Sequence, residues 1–537
     1  MHILRWTILL ILLLAAPTLS SEHAPTDVSG SAEPVWLTFD ELVTLSKTDP
    51  LAPELENKLN AILQTASVHN DFAAPDVRPE LPVDPKVGPM LRIGFWNIER
   101  GLQFDLIKQA LVEPEKFEAS VDAGKQRSPA QRGAILEQAR ALRDADILVL
   151  NEVDLGMKRT DYRDVARDMA EMLRMNYVYG VEFVEVDRLE DLGAEGSDLE
   201  NPEMASEMDT DLKPDTTRYR GFHGNAILSR FPIRKARIFP LPVCHDWFAD
   251  EMKQISQLEK GKRFVANKLF LERIEREVRR GNRMAIVAEL AVPDSPTGSF
   301  TVVGTHLENK CKPACRRKQM AALLESVQEV EGPLVIAGDM NTTGSNGSPM
   351  SVRGELVHLV KDYEFWIKQS VNWFTPLSLP SYALMPYKFW RTYRDPTVAH
   401  VPVLSGNPEA ALFRDLRKFR FADGASFDFR GLPSHTLDRR SGTLSDSNQR
   451  ARKGFVPTFA MPRDFGGVTR LKLDWFFVKP VEQTAKGRHI EYQLDPYFPR
   501  SMQDLNESTA DRLSDHAPIT VDLPISGVPA RPVQPRP

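Results

Sequence analysis

The sequence predicts an α/β fold, and two observations lead to this prediction. Segments with helical spacing of apolar residues alternate with short apolar runs that have the length of buried strands. Several of these runs end in polar residues. One example is LVIA at residues 334–337, which Gly338 separates from Asp339 and Asn341. Because strand ends are where α/β sheets place their binding sites, these polar residues are the first candidates for a functional site.

Length and composition indicate a globular protein with a sizeable core. The chain has 537 residues, 42% of them hydrophobic, and a formal net charge of −6. This length suits roughly two to four average domains, or one large α/β domain with insertions. Proteins that bind nucleic acid non-specifically are more often clearly basic, so the charge does not decide the substrate.

The first 20 residues have the pattern of a secretory signal peptide. Arg5 precedes an apolar block at about residues 7–16, and small residues surround the expected cleavage site near Ser20. A block of about ten residues is too short to span a bilayer, so cleavage is expected rather than an uncleaved anchor. Since later apolar runs are also too short, no stable membrane insertion is expected. The mature protein is therefore predicted to be secreted or periplasmic.

The three cysteines are compatible with export. Cys311 and Cys315 stand in a CKPAC segment, and their spacing predicts a small disulfide that leaves Cys244 free. A zinc site is the alternative, but three cysteines without a matching histidine pattern support it poorly.

The remaining chain divides into three predicted parts. Residues 21–90 form a polar linker and two short helices within residues 38–67, residues 91–523 form the main domain, and residues 524–537 form a Pro-rich tail. Helices of the main domain are predicted at residues 129–144, 162–174 and 316–329. Strands are predicted at residues 91–96, 146–150, 177–186, 225–229, 236–240, 284–292, 300–304, 334–337, 473–478 and 517–523.

Three insertions interrupt the main domain. Residues 186–215 are acidic and are predicted to be a solvated loop, with a metal-binding arm as the alternative. Residues 344–465 are rich in Pro and aromatic residues and are expected to form short helices and a lid. Residues 245–283 contain a charged helix predicted at 252–280. Its basic residues form either a basic rim or a solvated face, and they are Lys260, Lys262, Arg263, Arg279 and Arg280, with Arg283 just beyond.

Polar residues stand at the ends of most predicted strands. Each adjoins an apolar run, so one sheet edge can bring them together. A single polar residue at a strand end is ordinary, whereas the whole set indicates a shared site. In chain order these residues are Asn97, Glu152, Asn225, His306, Asp339, Asn341, Asp474, Asp515 and His516.

The motifs around these residues resemble those of the endonuclease/exonuclease/phosphatase superfamily. They are GFWNIERG at Asn97, LVLNEVD at Glu152, GNAILSRFPI at Asn225, VVGTHLE at His306, VIAGDMNT at Asp339, LDWFFV at Asp474 and LSDHAPI at His516. The superfamily includes deoxyribonucleases, abasic-site endonucleases, neutral sphingomyelinases and inositol polyphosphate 5-phosphatases. The resemblance implies a four-layer α/β sandwich, in which two mixed β-sheets pack face to face and are flanked by helices.

The resemblance also implies metal-assisted hydrolysis of a phosphoester, with Mg²⁺ as the cofactor and Mn²⁺ as the alternative. The implied metal ligands are Asn97, Glu152 and Asp515. Asp339 would orient or deprotonate the attacking water, and Asn341 would donate a hydrogen bond to a phosphate oxygen.

Histidines have implied roles at the phosphate. His516 would sit against the phosphate with its protonation held by Asp474, and His306 would contact the phosphate or help the leaving group. His516, His306 and Asp339 all remain candidates for the general base. The candidates for substrate binding are Asn225, His223 and Arg283, the last with bracing of the sheet as its alternative.

The substrate class is the least constrained prediction. The motif set favours nucleic acid, for which the basic segments at 260–283 and 439–453 would supply a groove. Aromatic residues at 366–390 favour the alternative, a lipid or small-molecule phosphoester. A catalytically inactive binding module would lack a catalytic group, and no protein partner is indicated. Departures from the usual family pattern are Asn151 in place of Gln, Met340 in place of Phe or Leu, and Trp475 in place of Tyr.

Overall fold

Two β-sheets form the body of the chain. In this computed structural model the described residues are 36–73, 79–81, 83–84, 88–121, 127–187, 214–253, 277–342, 410–427, 458–460, 470–480, 483–485, 488–490 and 500–525. The larger sheet has nine strands and the smaller has five. Among the described helices, none combines the length and the apolar character that crossing a bilayer requires.

The strands are numbered along the chain. They are β1 (Ser67–His69), β2 (Val83–Asp84), β3 (Gly88–Arg100), β4 (Ile147–Leu155), β5 (Asn176–Asp187), β6 (Phe222–Ser229), β7 (Ile233–Pro240), β8 (Glu277–Gly281), β9 (Met284–Leu290), β10 (Phe300–His306), β11 (Leu334–Asp339), β12 (Phe459–Ala460), β13 (Arg470–Leu471), β14 (Asp474–Lys479), β15 (Gln483–Ala485), β16 (Arg488–Ile490), β17 (Arg500–Ser501) and β18 (Ile519–Pro524).

Both main sheets are mixed. The nine-stranded sheet has the order β1-β5-β6-β4-β3-β18-β17, with β2 added to β3 and β8 added to β5. Its β3 and β4 are parallel, whereas β4 and β6 are antiparallel. The five-stranded sheet has the order β14-β11-β10-β9-β7. Its β10 and β11 are parallel, whereas β9 and β14 run antiparallel to them.

Helices lie on the outer faces of the sheets. Leu142 and Met169 pack with Leu148 of β4 on one side of the molecule, and Leu323 packs with Ile336 of β11 on the other. Described helices are α1 (Phe39–Lys47), α2 (Pro53–Gln64), α3 (Phe104–Val112), α4 (Pro114–Ser120), α5 (Pro129–Arg143), α6 (Val165–Leu173), α7 (Pro313–Ser326), α8 (Ala410–Lys418) and α9 (Gln503–Asn506).

The inner faces of the two sheets meet in an apolar cluster. Phe95 and Val149 from the larger sheet pack with Val302 and Val335 from the smaller sheet, and all four are fully buried. Full burial of such a side chain contributes roughly 1.5–3 kcal/mol, so this inter-sheet core is a main source of stability. The predicted α/β fold with two mixed sheets and flanking helices is therefore confirmed.

Local signals explain why the predicted helices form where they do. Ser128 accepts a hydrogen bond from the backbone N–H of Gln131, whose side chain bonds back to Ser128, and Pro129 opens α5. Thr38 and Glu41 form the same reciprocal cap at α1. Because these caps satisfy the free N–H groups of the first turn, the helix starts are readable from sequence. Helices α3 and α4 lie outside the predicted elements, because Pro114 divides them into two short segments.

The predicted charged helix at 252–280 is wrong at its C-terminal end. Residues 277–281 form strand β8, which pairs with β5. Arg279 donates to Glu251 at 2.6 Å, and Arg280 pairs with Asp49 at 3.2 Å. Arg279 and Arg280 belong to the sheet because the backbone of residues 277–281 pairs with β5. Lys260, Lys262 and Arg263 lie outside the described residues, as do the signal peptide and most of the acidic and aromatic-rich insertions.

The predicted disulfide is also wrong. Cys315 is bonded to Cys244, with a Cα–Cα distance of 5.8 Å, and Cys311 is free. Cys315 lies in the first turn of α7, whereas Cys311 precedes the helix and its Sγ donates to the Glu308 carbonyl at 3.4 Å. The true partner is 71 residues away in sequence, so local spacing could not reveal it.

Candidate active site

The candidate site continues the rows of side chains that form the inter-sheet core. Alternate residues of a strand face the same side. In β3, Phe95 belongs to the core and Asn97 is the next residue in its row. In β11, Ala337 and Asp339 have the same relation. The same alternation brings further polar residues to this edge, and they are Asn151, His223, Asn225, His306 and Asp474.

Asp339 lies at the centre of the site. Its Oδ2 is 3.5 Å from His306 Nε2, 3.6 Å from His516 Nε2 and 3.5 Å from Asn97 Nδ2. Its Oδ1 accepts a hydrogen bond of 2.8 Å from the backbone N–H of Asn341. Burial raises the pKa of Asp339 to about 7, with His516 opposing and Asp474 adding to the rise. A carboxyl group with this pKa can gain or lose a proton near neutral pH.

His516 is held in a charged state. Its Nδ1 lies 2.9 and 3.0 Å from the two carboxylate oxygens of the fully buried Asp474. Burial by itself lowers the pKa of His516, but the carboxylates of Asp474, Asp515 and Asp339 outweigh it and raise that pKa well above its ordinary value. The raised pKa favours the imidazolium, in which Nδ1–H donates to Asp474 and Nε2–H faces Asp339.

His306 is held in the opposite state. Its Nδ1 lies 2.8 Å from a terminal guanidinium nitrogen of Arg283. Because a guanidinium can only donate, Nδ1 must be an acceptor, and the proton of the neutral ring is on Nε2. Burial and the charge of Arg283 hold the pKa of His306 well below its ordinary value. The Nε2 atoms of both histidines therefore lie beside the same carboxylate, and His306 Nε2 also lies 3.1 Å from the side-chain amide of Asn341.

A cluster of acids adjoins Asp339. Asn97 Nδ2 donates to Glu152 at 3.1 Å, and Glu99 accepts a hydrogen bond of 3.0 Å from the backbone N–H of Asp515. Burial and the repulsion of Asp515 and Glu152 raise the pKa of Glu99 to about 7. Burial likewise raises the pKa of Asp515 to about 6. Hard oxygen donors under mutual repulsion fit a divalent cation, which would neutralise them.

Glu99 is a site residue that the sequence analysis did not select. It follows Asn97 by two positions, and β3 is irregular there, with positive φ at Glu99 and Arg100. This bulge turns the Glu99 carboxylate toward Asp515. The Asn-x-Glu spacing is a sequence signal, but its meaning depends on the bulge.

A second group of possible metal ligands lies beside this cluster. In the described part of the chain, ligand atoms of Asp339, Asp474 and His516 lie within 4.8 Å of one another. Asp474 already engages Nδ1 of His516, so only Nε2 of this ring could face a cation. In the same part of the chain Glu99, Glu152 and Asp515 do not form a set with this spacing, so they would have to move closer together to hold a cation.

The candidates for substrate binding differ in accessibility. His223 Nδ1 lies 2.9 Å from Asp154, which fixes its ring at the site. Asn225 is fully buried, with its Nδ2 3.5 Å from Glu182. Arg283 is 4% exposed and is 2.8 Å from Glu182, so its guanidinium contacts Glu182 and His306 rather than the open cleft.

The aromatic-rich insertion also reaches the site. Near its end, Thr458 Oγ1 accepts a hydrogen bond of 3.3 Å from the backbone N–H of Asp474. The ring of Phe459 lies 4.9 Å from the ring of His516. Neither Thr458 nor Phe459 was selected from the sequence, because both precede the strand that carries Asp474 and stand next to no obvious motif.

Comparisons with known proteins agree with the motifs. A model described as Endonuclease/Exonuclease/phosphatase family matches residues 94–516. No curated protein sequence matches the chain. Similar solved structures include an endonuclease/exonuclease/phosphatase from Beutenbergia cavernae (15% identity, 81% of this chain and 72% of that chain covered, TM-score 0.34). A 3′-5′ exonuclease from Neisseria meningitidis (14%, 81% and 99%, 0.34) and an AP endonuclease from Archaeoglobus fulgidus (12%, 80% and 98%, 0.32) are also similar.

The buried acids predict that the metal-free protein loses stability between about pH 5 and pH 8. In the folded state Glu99 and Asp339 have pKa values raised to about 7, and Asp515 to about 6. These groups therefore keep protons that the unfolded chain releases, and their stabilisation is lost as the pH rises through these values. His306, whose pKa is lowered, acts in the opposite direction below the ordinary histidine pKa. His516, whose pKa is raised, adds to the loss of stability above it.

Thermal unfolding in the presence of a chelator checks this prediction. The midpoint should fall from about pH 5 to about pH 8, and added Mg²⁺ should raise it more at the higher pH, where the ligands are deprotonated. Glu99→Gln should flatten the pH dependence, whereas Glu118→Gln, at an exposed position, should leave it unchanged. A midpoint that rises over this range would contradict the assignment of the acid cluster.

Proposed function

The chain belongs to the endonuclease/exonuclease/phosphatase family, and from this premise we propose that it is a metal-dependent phosphodiesterase that hydrolyses its substrate by attack of water. Phosphoester hydrolysis is the general chemistry of the family. The observation that supports the proposal is the convergence on Asp339 of two histidines in different protonation states, 3.5 and 3.6 Å from one carboxylate oxygen.

Asp339 is the best candidate for the general base. The carboxylates around His516 raise its pKa well above the ordinary value, which disfavours this histidine as a base. His306 has its Nδ1 occupied by Arg283 and carries its proton on Nε2. Asp339, whose pKa is raised to about 7, would accept the proton of the attacking water, while the Nε2–H groups of His516 and His306 would donate to phosphate oxygens. The charge of His516 then opposes the negative charge that builds on the phosphate.

Glu99, Glu152, Asp515 and Asn97 are the residues that would hold the divalent cation. Their oxygen atoms are the ligand type that Mg²⁺ prefers, and Mn²⁺ is the alternative. When bound, such an ion supplies positive charge beside the phosphate and lowers the pKa of a bound water. The raised pKa values of Glu99 and Asp515 support this ligand set, because crowded carboxylates are stabilised by a cation.

Nucleic acid is the proposed substrate, and a small-molecule or lipid phosphoester is the second candidate. The motif set supports the first. The second is supported by the ion pairs of Arg279, Arg280 and Arg283 with carboxylates of this chain, which remove three cations from the predicted phosphate-binding groove. A polynucleotide would then have to use basic residues elsewhere, such as those at 439–453, which lie outside the described residues.

Substitution at the central groups should abolish turnover while preserving the fold. Asp339→Asn keeps the shape but cannot accept a proton, and His516→Ala removes the charge beside the phosphate. Each should lower kcat about 10²- to 10⁴-fold. Matched controls are Asp522→Asn and His69→Ala, which lie in other parts of the large sheet and pair with Arg92 and Ser67. Equal effects of site and control variants on kcat would contradict the roles proposed here.

A substrate panel with Mg²⁺ and with chelator decides the reaction. We expect chelator-sensitive hydrolysis of DNA or RNA, with salt-dependent KM, because phosphate contacts along a strand release counterions. Faster hydrolysis of sphingomyelin or inositol phosphates would select the second candidate. Absence of hydrolysis on the whole panel, with and without Mg²⁺ and Mn²⁺, would favour an inactive binding module of this fold.

We also propose that the protein is secreted or periplasmic. The disulfide between Cys244 and Cys315 supports this location, since such bonds persist in oxidising compartments. N-terminal sequencing of the exported protein should find a start near Ser21, and thiol titration should find one free cysteine, Cys311. Retention of the intact N-terminus, or a bond between Cys311 and Cys315 in a non-reduced digest, would count against the proposal.

A further inference from the structure

Asn151 connects the two sheets directly below the candidate active site. It is fully buried on β4 of the larger sheet. Its Oδ1 accepts a hydrogen bond of 3.0 Å from the backbone N–H of Asp339, at the end of β11 in the smaller sheet. Its Nδ2 donates a hydrogen bond of 2.8 Å to Asn225 Oδ1 on β6. One side chain thus contacts both the central carboxylate's backbone and a candidate for substrate binding.

Hydrogen-bond chemistry fixes the orientation of both amides. A backbone N–H can only donate, so the atom of Asn151 that faces Asp339 must be its oxygen. The NH₂ group of Asn151 therefore faces Asn225, and the atom of Asn225 that accepts from it must also be the oxygen. It follows that Asn225 directs its NH₂ group away from Asn151, to the side on which Glu182 lies at 3.5 Å.

This orientation matters for a negatively charged substrate. The NH₂ group of Asn225 lies 3.5 Å from the Glu182 carboxylate. In this orientation the amide presents N–H groups to an anion, whereas a flipped amide would present a repelling oxygen. Asn225 is buried, so bulk water does not satisfy the groups that a flip would expose. The same bond to Asp339 N–H holds the end of β11, from which the Asp339 carboxylate projects between the two histidines.

We propose that Asn151 is a positioning residue, which sets Asn225 as a hydrogen-bond donor to the substrate phosphate and fixes the end of the strand that carries Asp339. The proposal rests on the proposed phosphodiesterase function. Asn151 itself acts through Asn225 and Asp339. Glutamine is frequent at this position in the family, and the shorter asparagine fits because both of its partners lie within 3.0 Å.

The test compares two buried asparagines. Asn151→Leu removes both hydrogen bonds at similar volume. Asn176→Leu is the matched control, because Asn176 is also fully buried and uses both ends of its amide, with Phe72 N–H at 3.0 Å and the Phe231 carbonyl at 3.2 Å. Both variants should lower the thermal midpoint. Only Asn151→Leu should lower kcat/KM, by about 10²-fold, as expected for loss of an aligned donor.

A double-mutant cycle separates positioning from simple destabilisation. Asn225→Ala alone should lower kcat/KM about 10²-fold, but in the Asn151→Leu background it should cost less than about threefold more, because the donor is already misdirected. Full additivity of the two substitutions would overturn the proposal, as would an equal loss of kcat/KM in Asn176→Leu measured well below its midpoint.

Hydrogen exchange gives a readout that does not depend on turnover. In Asn151→Leu, the backbone amide of Asp339 loses its acceptor, so a peptide covering residues 334–340 should exchange faster, whereas in Asn176→Leu it should not. Unchanged exchange in Asn151→Leu overturns the positioning role. A wild-type protein that hydrolyses no phosphoester, yet shows the expected exchange, refutes the proposed function and leaves the inter-sheet contact established.

Discussion

The alternation of side chains along the strands is the constraint on which this structure depends. Among the described residues, the inner faces of both sheets are apolar through the middle of the sandwich and become polar where the strands reach the candidate site. Phe95 and Ala337 are completely buried between the sheets, and the next residues in their rows are Asn97 and Asp339. Because the sheets pack face to face, the rows of inner-facing side chains from both sheets end at the same place. The site is therefore a property of strand register, since a one-residue shift would turn its side chains to the outer faces.

Burial then determines the chemistry of the groups that meet there. Carboxylates and imidazoles removed from water lose the solvent that normally sets their charge, so their neighbours set it. Asp474 keeps His516 charged, and Arg283 keeps His306 neutral, although the two rings lie on either side of the same carboxylate. Two histidines at the ends of strands, His306 at the end of β10 and His516 just before β18, thus differ in charge. The difference in charge comes from Asp474 and Arg283, which lie elsewhere in the chain. The local sequence motif of neither histidine shows it.

Sequence reasoning succeeded where the signal was local and periodic. The helices with capping boxes, the apolar strands and the polar residues at their ends were predictable, and the residues from Asn97 to His516 do converge on one edge. It failed where the bonding partner is distant in the sequence, and where an irregular backbone determines the position of a side chain. Cys315 pairs with a cysteine 71 residues away, and Arg279 joins a strand partner that its charged surroundings do not suggest. Glu99 enters the site only because β3 bulges after Asn97.

A common arrangement explains how the side chains of the site can be both rigid and reactive. Each uses one end to bind the scaffold and keeps the other for the centre. His516 Nδ1 is hydrogen-bonded to Asp474, and His306 Nδ1 accepts a hydrogen bond from Arg283. Asp339 Oδ1 accepts a hydrogen bond from the backbone N–H of Asn341. The Nε2 atoms of the two histidines lie 3.5 and 3.6 Å from Asp339 Oδ2. His306 Nε2 also lies 3.1 Å from the side-chain amide of Asn341. Because the scaffold bonds are made before a substrate arrives, the groups need little reorganisation during reaction, which is the condition under which electrostatic stabilisation is most effective.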